Sequence, residues 1–158
     1  MRHDVMESAV RRVALVLASA LALGCGFTTG ACAQETPATL TGVKVVTAEQ
    51  AKQMQDRGVP IFDTRVASEY AEKTVKGAKS VPYREKSAKN VKFDRSLDHF
   101  DLSKLPADKN APLVLFCNAG ECWKSYKASV VARDAGYKQI YWMRGGMPEW
   151  NAKGLPTQ

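Results

Sequence analysis

Two cysteines five residues apart carry the clearest chemical signal in this sequence. Cys117 ends the apolar run Pro112–Phe116, and a short loop then leads through Gly120 and Cys122 to a helical pattern that begins near Trp123. A thiol in this place meets backbone N–H groups and a helix N-terminus, which lower a thiol pKa and stabilise anions. The pattern therefore predicts that Cys117 is a nucleophile with a lowered pKa.

Cys122 has two interpretations. A structural disulfide between residues five apart removes little chain entropy, so a redox-active or catalytic pair is favoured over a structural one. In that interpretation Cys122 resolves a persulfide or disulfide formed on Cys117. In the other, Cys122 is a small residue that fills the helix start or forms a merely protective disulfide, and the sequence leaves both open.

The elements that must position these cysteines alternate between strand and helix patterns. Thr47 and Gln50 form a capping-box pattern at the start of the first helix, and Gly58 and Gly136 follow the ends of two helices. Such alternation is typical of an α/β fold with a parallel sheet covered on both faces. Strands are predicted at 43–46, 60–63, 79–81, 113–116 and 139–143, and helices at 48–57, 67–72, 123–135 and near 147–150.

Residues 1–33 have the pattern of a cleavable export signal. Arginines precede an apolar stretch that is shorter than the roughly 20 residues a membrane span needs, and Ala31-Cys32-Ala33 offers a small-residue cleavage site. We expect cleavage after Ala33 and a periplasmic or secreted protein, with lipoprotein anchoring at Cys25 as the lesser alternative. Residues 34–42 are then expected to be a flexible lead, and residues 43–158 one domain without stable membrane insertion.

Charge excludes some partners and favours others. The chain has 158 residues and a net charge of +7. Residues 34–158 keep +6, because the first 33 contain three arginines and two acidic residues. This excess suits anionic small molecules, but no basic stripe or base-stacking motif accompanies it, so no nucleic-acid partner is expected. No ligand set predicts a metal site, and no cofactor is expected.

Three segments together resemble the rhodanese-like domain superfamily. They are Ile61-Phe-Asp-Thr-Arg65 with its continuation to Pro82, the strand-ending Cys117, and residues 136–156 around Arg144-Gly-Gly146. The resemblance implies a three-layer fold with a central parallel sheet of about five strands flanked by helices. It covers nearly all of residues 43–158, and a loop ending in Cys-Trp is similar to that of a subgroup of exported rhodanese-like proteins.

The resemblance also implies an activity. It suggests a sulfurtransferase that moves sulfur from thiosulfate or another sulfane-sulfur donor to a thiol or cyanide through a Cys117 persulfide. The implied partners are a small sulfur-containing anion or thiol and a periplasmic reductase or redox protein. The alternative is a thiol–disulfide redox or sensing protein that uses Cys117 and Cys122. The expected substrate-binding loop consists of Asn118, Ala119, Gly120, Glu121, Trp123 and Lys124.

One feature modifies this expectation, and three further residues are expected to support the site. Cys122 occupies the position where the family usually has an arginine, so Lys124 is the remaining cation for an anionic donor. Gly120 is expected to adopt a backbone conformation that a Cβ atom would obstruct. Asp63 and Arg65 stand at the end of a strand, where α/β sheets place their sites. We expect them to support the site as an ion pair or loop brace.

Overall fold

The computed structural model describes residues 34–158, which contain one five-stranded sheet in which every neighbouring pair of strands is parallel. The strand order is β1-β5-β4-β2-β3. The strands are β1 Lys44–Val46, β2 Ile61–Asp63, β3 Lys79–Ser80, β4 Pro112–Phe116 and β5 Gln139–Met143. The helices are α1 Ala48–Asp56, α2 Ala67–Glu72, α3 Trp123–Asp134 and α4 Gly146–Ala152. The predicted α/β class and the five strands are confirmed.

The central strand β4 is buried on both faces, and its side chains alternate between two cores. Val114 and Phe116 pack with residues of α1 and α4, whereas Leu113 and Leu115 pack with residues of α3. Burying one such side chain contributes about 1.5–3 kcal/mol. The apolar run that suggested a strand is therefore the middle of a three-layer structure.

Local sequence signals set the helix boundaries. The predicted capping box is present, because the Thr47 hydroxyl accepts the Gln50 N–H at 3.2 Å and the Gln50 side chain accepts the Thr47 N–H at 2.9 Å. Helix α3 begins at Trp123, and Gly136 follows its end at a φ of 98°, where a glycine is favoured. The loop after β4 is therefore residues 117–122.

The segment between β3 and β4 is mostly irregular. Phe100, Leu102 and Leu105 anchor it by packing against the core on the α3 side. Leu97 is 53% exposed and does not contribute to this packing. The polar side of the segment is instead tied to α3 by the fully buried Lys127, whose ammonium lies 2.7 Å from a Glu85 carboxylate oxygen.

The turn after β2 is braced by a buried ion pair. The Arg65 guanidinium donates to the Asp63 carboxylate at 2.6–3.1 Å and to the Lys73 carbonyl at 2.6 Å. The Thr74 hydroxyl donates to the same carboxylate at 2.8 Å. Asp63 is fully buried, so its charge depends on these donors. The expected ion pair and loop brace are present.

We predict that Arg65→Ala destabilises the fold by about 3–5 kcal/mol, because it leaves a buried carboxylate without its cation. Urea denaturation followed by circular dichroism measures this as a lower midpoint. Arg57→Ala, which removes an exposed arginine at the end of α1, is the control and should change stability by less than about 0.5 kcal/mol. Equal midpoints for the two variants would contradict the brace.

Candidate active site

Cys117 lies at the floor of the site, immediately after β4, and is 1% exposed. Its Sγ donates to the Cys122 carbonyl oxygen at 3.1 Å and lies 2.9 Å from the Ser125 hydroxyl. That hydroxyl accepts the indole N–H of Trp142 at 2.9 Å, so its own hydrogen is available to Cys117. The first turn of α3 and the side of β5 together hold this thiol in place.

The loop backbone is held by a close approach of α4. The Cys117 carbonyl accepts the Met147 N–H at 2.9 Å. A Cβ atom on Gly146 would lie 2.1 Å from that carbonyl oxygen, and Gly146 itself has a φ of 56°. Only glycine fits this contact without moving the loop.

The predicted role of Gly120 is correct in part. The loop residue with positive φ is Ala119, at 42°, rather than Gly120. Gly120 leaves space for a neighbour instead, because a Cβ atom there would lie 2.7 Å from the Arg144 guanidinium. Glycine at position 120 is therefore required by the close approach of the Arg144 side chain and not by an unusual backbone angle. The sequence alone did not distinguish these two reasons for a glycine.

Cys122 lies above Cys117 and faces a cleft. It is the residue that precedes the first turn of α3, it is half-buried, and neither cysteine is in a disulfide. The cleft has a volume of about 340 Å³. It is lined by Glu69, Glu85, Lys89, Asn118, Glu121, Cys122, Trp123 and Lys124. Four of the six predicted loop residues therefore line the cleft together with Cys122, whereas Cys117 is not part of its wall.

The two thiols have opposite pKa shifts. Burial raises the pKa of Cys117 well above its ordinary value, and the neighbouring Cys122 adds to this effect. A hydrogen bond from Cys117, together with the backbone N–H groups of Asn118 and Lys124, lowers the pKa of Cys122 to about 6. The expectation of a lowered pKa at Cys117 is therefore wrong, since the loop amides and the start of α3 stabilise the sulfur of Cys122.

Carboxylates and lysines share the cleft. Lys124 contributes to the lowered pKa of Cys122, as expected of a cation beside a thiolate. Glu85 is fixed by the buried Lys127, while Glu69 accepts a hydrogen bond from the Asn118 side chain. Three glutamates and two lysines line the cleft, so the overall basic charge of the chain is not concentrated there.

Asp63 and Arg65 stand outside this cleft. Arg65 lines a neighbouring cleft of about 240 Å³, which shares only Glu69 and Asn118 with the first. The Asn118 side chain, bonded to Glu69, forms the ridge between the two. The position of Asp63 and Arg65 fits support of the loop and no direct contact with a substrate at Cys122.

Residues 34–37 pack against the loop of residues 117–122, which we call the active loop. This packing differs from the flexible lead that was expected for residues 34–42. The Gln34 carbonyl accepts the indole N–H of Trp123 at 2.7 Å. Both the backbone N–H and the hydroxyl of Thr36 donate to the Gly120 carbonyl, at 2.7 and 2.8 Å. We call residues 34–37 the N-terminal strap. Composition suggested a free lead because these bonds use backbone groups that a polar sequence does not reveal.

Arg144 holds the N-terminal strap from the other side. Its guanidinium donates to the Thr36 carbonyl at 2.7 Å and to the Pro37 carbonyl at 3.2 Å, and it pairs with the Glu35 carboxylate at 3.0 Å. Arg144 directly follows β5, whose last residue is in register with the end of β4. The strap, Arg144 and Gly120 therefore form one layer over the loop.

Sequence reasoning missed several residues that form this site. Ser125, Trp142 and Arg144 have no predicted role in the site, and Lys127 lies within the helix predicted at 123–135. Arg144 stood in a family-like segment between an apolar strand and two glycines, which is a signal that could have identified it. Nothing local in the sequence marks the contact of Ser125 with Cys117, because it depends on where α3 begins.

Two other kinds of feature are absent from residues 34–158. Within this range no three His, Cys, Asp or Glu side chains are grouped as metal ligands. No helix in the same range is both long enough and apolar enough to cross a bilayer. The predicted signal at residues 1–33 lies outside the described residues.

A family model of the rhodanese-like domain matches residues 47–153. This match confirms the resemblance drawn from the three sequence segments, and it includes β2, the active loop and the segment around Arg144. No curated protein sequence is significantly similar to the chain.

Solved structures share the fold at low sequence identity. The polysulfide-sulfur transferase homodimer of Wolinella succinogenes is 22% identical, with a TM-score of 0.53 over 74% of this chain and 79% of the other. The Alr3790 protein of Anabaena sp. is also 22% identical, with a TM-score of 0.53 over 72% and 79%. The human single-domain sulfurtransferase TSTD1 is 23% identical, with a TM-score of 0.50 over 69% and 96%. At these identities the likeness establishes the fold alone.

We predict that Thr36→Val loosens the strap by about 1 kcal/mol, because it removes one hydrogen bond to the Gly120 carbonyl while keeping the side-chain shape. Hydrogen exchange measured by mass spectrometry should be faster in residues 34–37 and in the loop. Thr41→Val, at an exposed threonine nearby, is the matched control and should leave exchange there unchanged. Unaltered exchange in Thr36→Val would mean that the strap does not hold the loop.

We also predict the pH dependence of alkylation. A thiolate is the reactive form, so labelling of Cys122 by iodoacetamide should persist down to about pH 6 and be lost as pH falls further. An unperturbed thiol would have its midpoint near pH 8.5. Peptide mapping locates the label in the full chain carrying Cys25→Ser and Cys32→Ser, and the same chain with Cys122→Ser is the control. A midpoint near 8.5, or labelling mainly on Cys117, would contradict this assignment.

Proposed function

The chain belongs to the rhodanese-like domain family, and we propose that it is a sulfurtransferase that carries a sulfane sulfur as a persulfide on Cys117. The observation that supports this most directly is the pair of free thiols at the carboxyl end of β4. One of them, Cys122, lines a cleft at the start of α3. Open α/β sheets place their ligands at this edge.

The loop suits the chemistry of a persulfide. A thiolate attacks the outer, sulfane sulfur of a donor such as thiosulfate, and the bond between the two donor sulfurs breaks. The electron pair leaves with sulfite, and the persulfide remains on the protein. Backbone N–H groups favour an anion on Cys122, and the Ser125 hydroxyl, 2.9 Å from the Cys117 Sγ, is placed to stabilise an anion on Cys117. An acceptor thiol or cyanide then removes the outer sulfur and restores the thiolate.

The charged residues of the cleft bear on which sulfur donor it can bind. Lys124 lies at its wall and is a cation for an anionic donor or a leaving sulfite. The three glutamates that share the wall reduce this attraction, so a small thiol or an uncharged polysulfide chain suits the cleft at least as well as a dianion. Thiosulfate is therefore a convenient probe of the proposal, and the natural donor is left as a sulfane-sulfur compound.

A second function is favoured by one contact. The Cys117 thiol lies 3.1 Å from the Cys122 carbonyl oxygen, and each thiol shifts the pKa of the other, so a disulfide between them needs no distant partner. In a thiol–disulfide or redox-sensing protein this pair would be oxidised by a partner disulfide and reopened by a periplasmic reductase or redox protein. The two functions differ in whether sulfur is gained from a sulfane donor.

We further propose that the protein acts in the periplasm or outside the cell, after cleavage following Ala33. The support is the charged, apolar and small-residue pattern of residues 1–33. The first residue after that cleavage site, Gln34, accepts a hydrogen bond from the indole of Trp123 at the start of α3. Edman sequencing of the exported protein tests the start at Gln34, and export with residues 1–33 retained would refute it.

We predict that the full chain carrying Cys25→Ser and Cys32→Ser gains one sulfur atom on exposure to thiosulfate, because only the two loop thiols then remain to react. Intact mass spectrometry measures the gain. A matched chain that also carries Cys117→Ser and Cys122→Ser should gain none, and cyanide should remove the sulfur from the first chain with release of thiocyanate.

Two other results would count against the activity. No sulfur gain with thiosulfate, an organic trisulfide or inorganic polysulfide would refute the sulfurtransferase. Loss of two hydrogens, without any gain of sulfur, on exposure to an oxidised dithiol would support the thiol–disulfide function instead.

A further inference from the structure

The cleft gives a substrate access to Cys122 before Cys117. Cys122 is half-buried and lines the cleft of about 340 Å³, whereas Cys117 is 1% exposed and does not line it. The sulfur of Cys117 is also covered by its contacts with the Cys122 carbonyl and the Ser125 hydroxyl. A donor molecule that enters the cleft therefore meets the outer cysteine first.

On the premise of the proposed sulfurtransferase activity, we propose that Cys122 is a second catalytic residue, which takes the sulfane sulfur from the donor and passes it to Cys117 beneath it. The two cysteines then form a relay. Cys122 is the receiving thiol, and Cys117 is the carrier that holds the sulfur away from bulk water.

The first step takes place on Cys122. Its thiolate attacks the outer sulfur of thiosulfate, a bond forms between the two sulfurs, and sulfite leaves with the electron pair of the broken bond. The backbone N–H groups of Asn118 and Lys124, together with the charge of Lys124, favour the thiolate of Cys122 and lower its pKa to about 6. A thiol of lowered pKa that lines the cleft needs no separate base near neutral pH.

The second step moves the sulfur inward. Cys117 gives its proton to the outer sulfur of the Cys122 persulfide, and the Cys117 thiolate then attacks that sulfur. The bond to Cys122 breaks, and its electron pair returns to Cys122 as a thiolate. The products are a Cys117 hydropersulfide and the Cys122 thiolate, so atoms and electrons balance without an oxidant or reductant. The Ser125 hydroxyl, 2.9 Å from Cys117 Sγ, is placed to stabilise the Cys117 thiolate.

The opposite pKa shifts give the relay a direction. In thiol exchange the thiolate of higher pKa is the better nucleophile, and the thiolate of lower pKa is the better leaving group. Burial makes Cys117 the thiol of higher pKa, and the loop amides make Cys122 the thiol of lower pKa. Sulfur transfer from Cys122 to Cys117 is therefore the favoured direction.

The relay is tested with three proteins. The first is the full chain carrying Cys25→Ser and Cys32→Ser, and the other two are this chain with Cys117→Ser or with Cys122→Ser added. Each protein is mixed with thiosulfate, quenched with iodoacetamide at a series of times and cleaved after Glu121, which separates the two cysteines. Mass spectrometry of the fragments then locates the sulfur. Thermal unfolding of each variant shows that it is folded before it is compared.

The relay predicts three results. In the chain with both loop cysteines, sulfur appears first on the fragment that contains Cys122 and later on the one that contains Cys117. Cys117→Ser gains sulfur on Cys122 and keeps it. Cys122→Ser gains sulfur about tenfold more slowly or less, because Cys117 is both buried and mainly protonated.

Other results separate the relay from the activity on which it rests. If Cys122→Ser loads as fast as the chain with both cysteines, the relay is wrong and the sulfurtransferase with a direct Cys117 attack survives. Release of sulfide with formation of a Cys117–Cys122 disulfide overturns the inward transfer. If no chain gains sulfur from any sulfane donor, the sulfurtransferase itself fails, and the relay with it.

Discussion

The site depends on the way the end of β4 is fixed from both sides. The Phe116 carbonyl accepts the N–H and the hydroxyl of Thr64 at 3.0 and 2.8 Å, and the Cys117 carbonyl accepts the Met147 N–H at 2.9 Å. Because these bonds hold the backbone before and at Cys117, its side chain has one direction, toward the first turn of α3. The contact of Gly146 with the Cys117 carbonyl, which has no room for a Cβ atom, locks the same place. The buried thiol follows from this constraint.

A second consequence is the unequal pair of thiols. The backbone N–H groups of Asn118 and Lys124 favour the thiolate of Cys122, which precedes the first helical turn. Cys117 receives a hydroxyl contact and burial instead. The accessible sulfur thus has a lowered pKa, and burial raises the pKa of the enclosed one. That difference is what separates a relay from two equivalent nucleophiles.

Periodicity and capping predicted the fold well, because the continuous apolar run of β4 and the Thr47 capping box are local signals that the packing reinforces. The loop follows β4 directly, where the resemblance placed it, and Asp63 and Arg65 form the expected ion pair. Sequence failed where a property depended on distant groups. The pKa of Cys117 is set by its burial under Cys122, and the order of residues 34–37 is set by Arg144, more than a hundred positions away in the chain. Neither contact leaves a local pattern.

The substitution of Cys122 for the usual arginine of the loop changes how the site can handle charge. Arg144 does not replace that arginine, since its guanidinium is already bound by the Glu35 carboxylate and by two carbonyls of the N-terminal strap. Stabilisation of an anion is left to the loop amides and to Lys124, and three glutamates oppose them in the cleft. A loop arranged in this way favours one small anion, the thiolate or persulfide of Cys122, over a large multiply charged oxyanion. With a cysteine at the arginine position, the anion that the loop stabilises is therefore a sulfur atom of the protein and not an oxyanion of the substrate.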